Sequence, residues 1–179
     1  MVNTFEQSYL DILGGHRISR QRSAAEYKKC VGGIARKRIV QRMKQYKHHG
    51  STSCFKHSVH VSYYNYLICK KLGLDYYAAA KAGLLHDLFL YDWHDYTPGY
   101  GERLHGFEHP RKALQNARSS FTITDKEADI IEKHMFPLTL ALPRYKETFV
   151  IVMTDKFCSI CEVIDGLLKR RKTKLQRVI

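Results

Sequence analysis

The segment Tyr76-Tyr77-Ala78-Ala79-Ala80-Lys81-Ala82-Gly83-Leu84-Leu85-His86-Asp87 carries a single cation, Lys81, before it ends on an imidazole and a carboxylate. A helix that is apolar nearly all round belongs at the centre of a fold. His86 and Asp87 are therefore delivered to the interior, where an unpaired charge is costly and needs a strong partner. A metal ion would meet that need. Further ligand types lie on either side of the segment: His57 before it, and His109, His134 and Asp155 after it.

Working outward, helical spacing recurs along the chain and sustained two-residue alternation does not, so the fold class is all-α. Gly14-Gly15 breaks an opening segment, and a helix is expected from about Ser23, kinked or divided at Gly32-Gly33. Gly50-Ser51-Thr52-Ser53 reads as a stop followed by a helix N-cap. Beyond it His57, Val61, Tyr64 and Ile68 share one stripe, expected to face inward. Gly73 ends that helix and Asp75 can cap the central one. Tyr91 to Gly106 reads as an active-site loop. Pro110 suits the first turn of a short helix to about Ser119, with His109 at its entrance. Thr124-Asp125-Lys126-Glu127 is a capping box, whose helix leads to His134. A last long helix from about Thr148 sets Ile151, Asp155, Cys158 and Glu162 along one stripe.

The chain has 179 residues, enough for one domain with a full core. The expected organisation is a single domain over 1-179, with a motif-bearing core of about 35-165 and an N-terminal helical extension, 1-34. No apolar run is long enough to span a bilayer and the first residues lack a signal-peptide pattern, so no membrane contact and a cytoplasmic location are expected. The five cysteines are an odd, scattered set, better read as free thiols. Cys158-Ser159-Ile160-Cys161 is read as packing on a helix. The net charge of +13 favours anionic partners. Its two basic runs, Arg36 to Lys47 and Lys169 to Arg177, leave nucleic-acid binding as a less favoured alternative.

Neutral imidazoles and carboxylates together suit zinc, iron, manganese and related ions. Asp87 and His86 diverge by about 100° on a helix, so one can serve a first ion while the other bridges. Two ions sharing a water would generate hydroxide near neutral pH and neutralise charge on a phosphoryl group.

His57, then His86-Asp87, then Asp155 resemble the H…HD…D pattern of the HD superfamily of metal-dependent phosphohydrolases. The likeness covers roughly residues 35 to 165. His109 and His134 are similar to the extra histidines of its two-metal branches, which include cyclic-dinucleotide phosphodiesterases and symmetrical diadenosine tetraphosphate hydrolases. The resemblance implies an HD-domain helical bundle with the metal site at its centre. It also implies a first metal on His57, His86, Asp87 and Asp155, with Asp87 bridging to a second on His109 and His134. Implied too are one or two divalent ions (iron or manganese favoured, zinc, nickel or cobalt as alternatives). The implied reaction is hydrolysis of a phosphoester or phosphoanhydride of a small nucleotide or related metabolite. Several branches carry Lys or Glu three residues after the motif aspartate, where this chain has Leu90. Tyr91, Asp92 and His94 are the candidates to replace that group, and Asp87, Tyr91 and Asp92 form the expected catalytic set. His60, His105, Arg111 and Lys156 are candidate substrate-binding residues, and the choice between His105 and His109 as ligand stays open with His109 preferred. A non-catalytic nucleotide sensor on the same fold is the competing reading.

Overall fold

Local chemistry sets where the helices start. Ser53 accepts a hydrogen bond from the Lys56 amide, Asp75 from the Ala78 amide, and Thr124 and Glu127 close a reciprocal capping box. The computed structural model describes the backbone of residues 17–50 and 52–176, and side chains of 22–50 and 52–169. Gly14-Gly15 lies outside the described residues. Within them the chain is 69% helical, with seven α-helices and no strands. These are α1 (Arg17–Ala35), α2 (Arg38–Gln41), α3 (Cys54–Lys71), α4 (Tyr76–Leu85), α5 (His105–Ser120), α6 (Asp125–Lys133) and α7 (Lys146–Gln176). Short 3-10 turns follow at Arg42–Gln45 and Trp93–Asp95. No described helix is long and apolar enough to cross a membrane.

Helix α4 is the hub, in contact with α1, α3, α5, α6 and α7. Seven of its residues, Ala78, Ala79, Ala80, Ala82, Gly83, Leu84 and Leu85, are buried. Lys81 escapes the cost of burial by reaching the surface, where its Nζ donates to the Thr122 carbonyl and to Glu127. The facing side of α3 is built from small and polar residues, Ser58, Ser62 and Asn65. Ser62 donates to the Ala80 carbonyl at 2.6 Å, and Thr154 of α7 donates to Asn65 at 2.6 Å.

Several helix limits differ from the sequence reading. Helix α1 starts six residues or so before Ser23 and runs through Gly32-Gly33 unbroken. The buried face of α3 is rotated from the expected stripe: His57 and Val61 are fully buried, but Tyr64 and Ile68 sit at its edge while Ser62 and Asn65 meet α4. The small side chains let α4 come close, and that proximity outweighs the larger residues' hydrophobicity. Helix α5 begins at His105, so Pro110 lies inside it. Gly106 lies in its first turn, where a Cβ would stand 3.1 Å from the Leu138 side chain. Helix α7 begins at Lys146, two residues before Thr148, whose hydroxyl donates to buried Asp129.

Candidate metal centre

His57 comes from α3, His86 and Asp87 from the end of α4, His109 from α5, His134 from the end of α6 and Asp155 from α7. All six are buried and meet in one place. His57 Nε2 stands 3.0 Å from Asp155 Oδ1, and His86 Nε2 is 3.6 Å from the same oxygen and 3.5 Å from Asp87 Oδ2. The other Asp87 oxygen, Oδ1, faces His109 Nε2 at 3.5 Å and His134 Nε2 at 3.9 Å. One carboxylate therefore separates two sets of donors.

The histidine tautomers follow from the other ring nitrogen. Nδ1 of His86, His109 and His134 lies 2.8–2.9 Å from the carbonyls of Gly83, His105 and Ile131. A carbonyl can only accept, so each Nδ1 carries the proton and each Nε2 presents a lone pair to the centre. His57 does the same through Glu162, whose Oε2 is 3.2 Å from Nδ1. Such outer hydrogen bonds are the usual way a ligating imidazole is oriented. Two consequences bear on metal. His86 Nε2 is buried without a hydrogen-bond partner. His109 Nε2 and His134 Nε2 face each other at 2.9 Å, lone pair to lone pair. That approach is repulsive unless a cation or proton lies between them. The donor set thus fits a metal ion, and among the described residues three groups have the required proximity: His48, His57 and Asp87; His57, His86 and Asp155; His86, Asp87 and His134.

Ionisation states suit ligation at His109, His134 and the two aspartates; at His86 burial opposes protonation, but Asp87 and Asp155 raise the imidazole above its ordinary value. Burial pushes the His134 imidazole down to about 3, with His86 and His109 adding to the effect. Burial also lowers His109, against the pull of Asp87. Burial opposes ionisation of Asp87 and Asp155, yet surrounding histidines hold both well below the usual carboxylate range. Neutral imidazoles and ionised carboxylates are the forms that bind metal. Below the unfolded histidine value of about 6.5, the unfolded chain takes a proton that folded His134 refuses down to about 3. His105, lowered to about 4 by burial and then by His109, adds to this. Metal-free stability should fall on the order of 1 kcal/mol per pH unit for each such histidine as pH drops from about 6.5 toward 4. Urea unfolding in chelator measures the slope, and His134→Leu should flatten it.

Two residues of the centre escaped the sequence reading. His48, in the loop before Ser53, has its Nε2 3.2 Å from Asp87 Oδ2 and its ring stacked on His57 at 3.7 Å. A short bridge between Lys47 and Ser53 folds its loop over the cluster. Burial opposes protonation of His48, but Asp87 and Glu162 raise it to about 10. Glu162 was placed on the Asp155 stripe without a role. Its carboxylate collects His57, His48 and His60, and these contacts overcome burial to keep it ionised.

A cavity of about 450 Å³ opens above the cluster. Its walls include Asp87, Asp155, His109 and His134 with His48, His49, Trp93, His105 and Lys156. Other candidates lie elsewhere. Tyr91 lies beyond the end of α4 at Leu85 and after Leu90 at φ 60°; its hydroxyl is hydrogen-bonded to His105 Nδ1 at 2.8 Å. Asp92 is occupied in capping the Trp93–Asp95 turn through the His94 amide, and it does not line the cavity. His94 bonds to that same carboxylate. Arg111 pairs with Glu108 on the outer side of α5. His60 faces Glu162 from behind rather than the cavity. Lys156 does line it, its Nζ donating to the Phe136 and Val152 carbonyls. His105 lies one turn before His109, stacked on it at 4.5 Å, and it is the His109 Nε2 that faces Asp87.

No family model, no curated protein and no solved structure matches the chain.

Proposed function

We propose that the chain is a metal-dependent phosphohydrolase of the HD type, cleaving a phosphoester or phosphoanhydride of a small nucleotide or related metabolite. The observation that carries this reading is the division of donors about Asp87: His57, His86 and Asp155 on one side, His109 and His134 on the other. Those residues would hold two divalent ions, iron or manganese by preference. Bound there, the ions would supply Lewis acidity toward a phosphoryl group and a lowered pKa for water. The chain's own residues do the rest. Asp87 holds the two donor sets apart, and Glu162 fixes the His57 ring. Lys156 gives the cavity wall a cation suited to an anionic substrate. Trp93, stacked on His94 at 4.1 Å and on His105 at 5.5 Å, adds an aromatic side chain to the wall of the same cavity. The five free cysteines fit a reducing, cytoplasmic setting.

One observation favours a second reading, a sensor that binds a nucleotide without hydrolysing it. Leu90 puts no acid or base three residues past Asp87, and the backbone turns away there. Elemental analysis of protein purified without chelator, followed by a screen of phosphorylated compounds with iron, manganese, cobalt and nickel, separates the two. Near two ions per chain with turnover under at least one metal is expected. Metal and nucleotide binding without turnover would favour the sensor. A protein that takes up no metal would defeat both.

A further inference from the structure

Helix α7 carries a row of apolar side chains that the described residues leave largely exposed. Phe149, Met153, Ile160, Val163 and Leu167 are 44–69% exposed. With Lys156 they recur at alternating steps of four and three residues. At 100° per residue these six positions fall within an arc of roughly 80°, the narrow seam of a two-helix coiled coil. Ile164 and Leu168, also exposed, flank the seam.

We propose that this face is the contact between two copies of the chain, their α7 helices packed antiparallel about a two-fold axis near Cys158. Area is the first argument. The exposed apolar side chains of α7 amount to on the order of 600 Å² per protomer, at or above the largest patch of an ordinary monomer. Doubled in a symmetric pair, roughly 1,200 Å² reaches the lower limit for a stable interface. Self-complementarity is the second. A two-fold axis at Cys158 sets Phe149 against Leu167 of the other copy and Met153 against its Val163, large apolar groups on both sides.

Charge decides the direction. A parallel pair would set Lys156 against Lys156 and bring the two Lys169–Lys174 runs together. The antiparallel pair places Lys156 opposite Ile160 and holds the two basic runs about 40 Å apart, at 1.5 Å per residue. The arrangement also touches the candidate centre, since Lys156, Ser159 and Ile160 line its cavity. The second copy would then shape the cavity mouth. None of this depends on what the cavity binds.

Sedimentation equilibrium on the full chain at micromolar concentrations tests the proposal. Twice the 20.9 kDa chain mass is expected. Met153→Asp with Leu167→Asp should return the chain mass while circular dichroism keeps its helical amplitude, because both residues are exposed. A wild-type monomer at 50 µM overturns the proposal, as does a monomer that floats with anionic phosphatidylserine vesicles, which would assign the face to lipid. For direction, in a Cys161→Ser background, Met153→Cys with Val163→Cys should cross-link covalently between chains while Met153→Cys alone does not. Cross-linking by the single variant overturns the antiparallel pairing.

Discussion

On the proposed two-ion reading, Asp87→Asn should reduce the metal content from two ions to at most one and cut turnover by at least ~1000-fold, since a bridged ion pair would supply several kcal/mol of charge stabilisation. The substitution keeps the side chain's shape and changes only what it presents. The aspartate offers lone pairs on Oδ2 to the His57–His86 side and on Oδ1 to the His109–His134 side. An amide offers a carbonyl to one side and an NH₂ to the other, and an NH₂ has no lone pair for a cation. One set of donors must then lose its ion. Which one is lost depends on which way the amide flips, so elemental analysis is the clean readout. Thermal melting gives a second. Saturating manganese at ~100 times its dissociation constant stabilises a binding-competent fold by ~2.7 kcal/mol per site, and the variant should lose at least one such increment. An Asp87→Asn protein that still holds two ions would sink the bridging role.

The sequence made visible whatever is set by neighbours in the chain. The caps at Ser53, Asp75 and Thr124 depend on residues three positions apart, and each was readable without a fold. The central helix was equally plain, because alanines and leucines around a single lysine leave no solvent face. Partners brought together only by packing were a different matter. His48 belongs to the centre because a loop closed by Lys47 and Ser53 lays its ring on His57. Nothing in the local pattern His48-His49-Gly50 distinguishes that from a surface turn. Glu162 was on the right stripe, seven residues past Asp155. Its task depends on His57 and His48, more than a hundred positions earlier in the chain. Gly106 and Pro110 misled for the opposite reason. Both are poor helix formers by propensity, yet both stand within the first two turns of α5.

Gly83→Ala should destabilise the fold by about 3 kcal/mol, and weaken metal binding at the same time. The added Cβ would lie 2.8 Å from Asn65 Nδ2 and 2.9 Å from Ser62 Cα. Asn65 cannot simply swing away, since its Oδ1 accepts the Thr154 hydroxyl that ties α3 to α7. Ser62 Cα is backbone, so α3 and α4 must separate. Those two helices carry His57 and His86, whose rings stand 5.4 Å apart across the contact. Stability and ligand geometry therefore share one close approach. Gly33→Ala is the matched comparison. It is also a glycine inside a helix, but no atom stands within 4 Å of its would-be Cβ, so the usual gain of about 0.5–1 kcal/mol for alanine over glycine is expected. Urea unfolding of both variants, with manganese titration of each, distinguishes a local clash from a general cost of adding a methyl group. If Gly83→Ala unfolds like the wild type and binds metal as well, the contact between α3 and α4 is looser than 2.9 Å allows, and the positions of His57 and His86 must be set by something else.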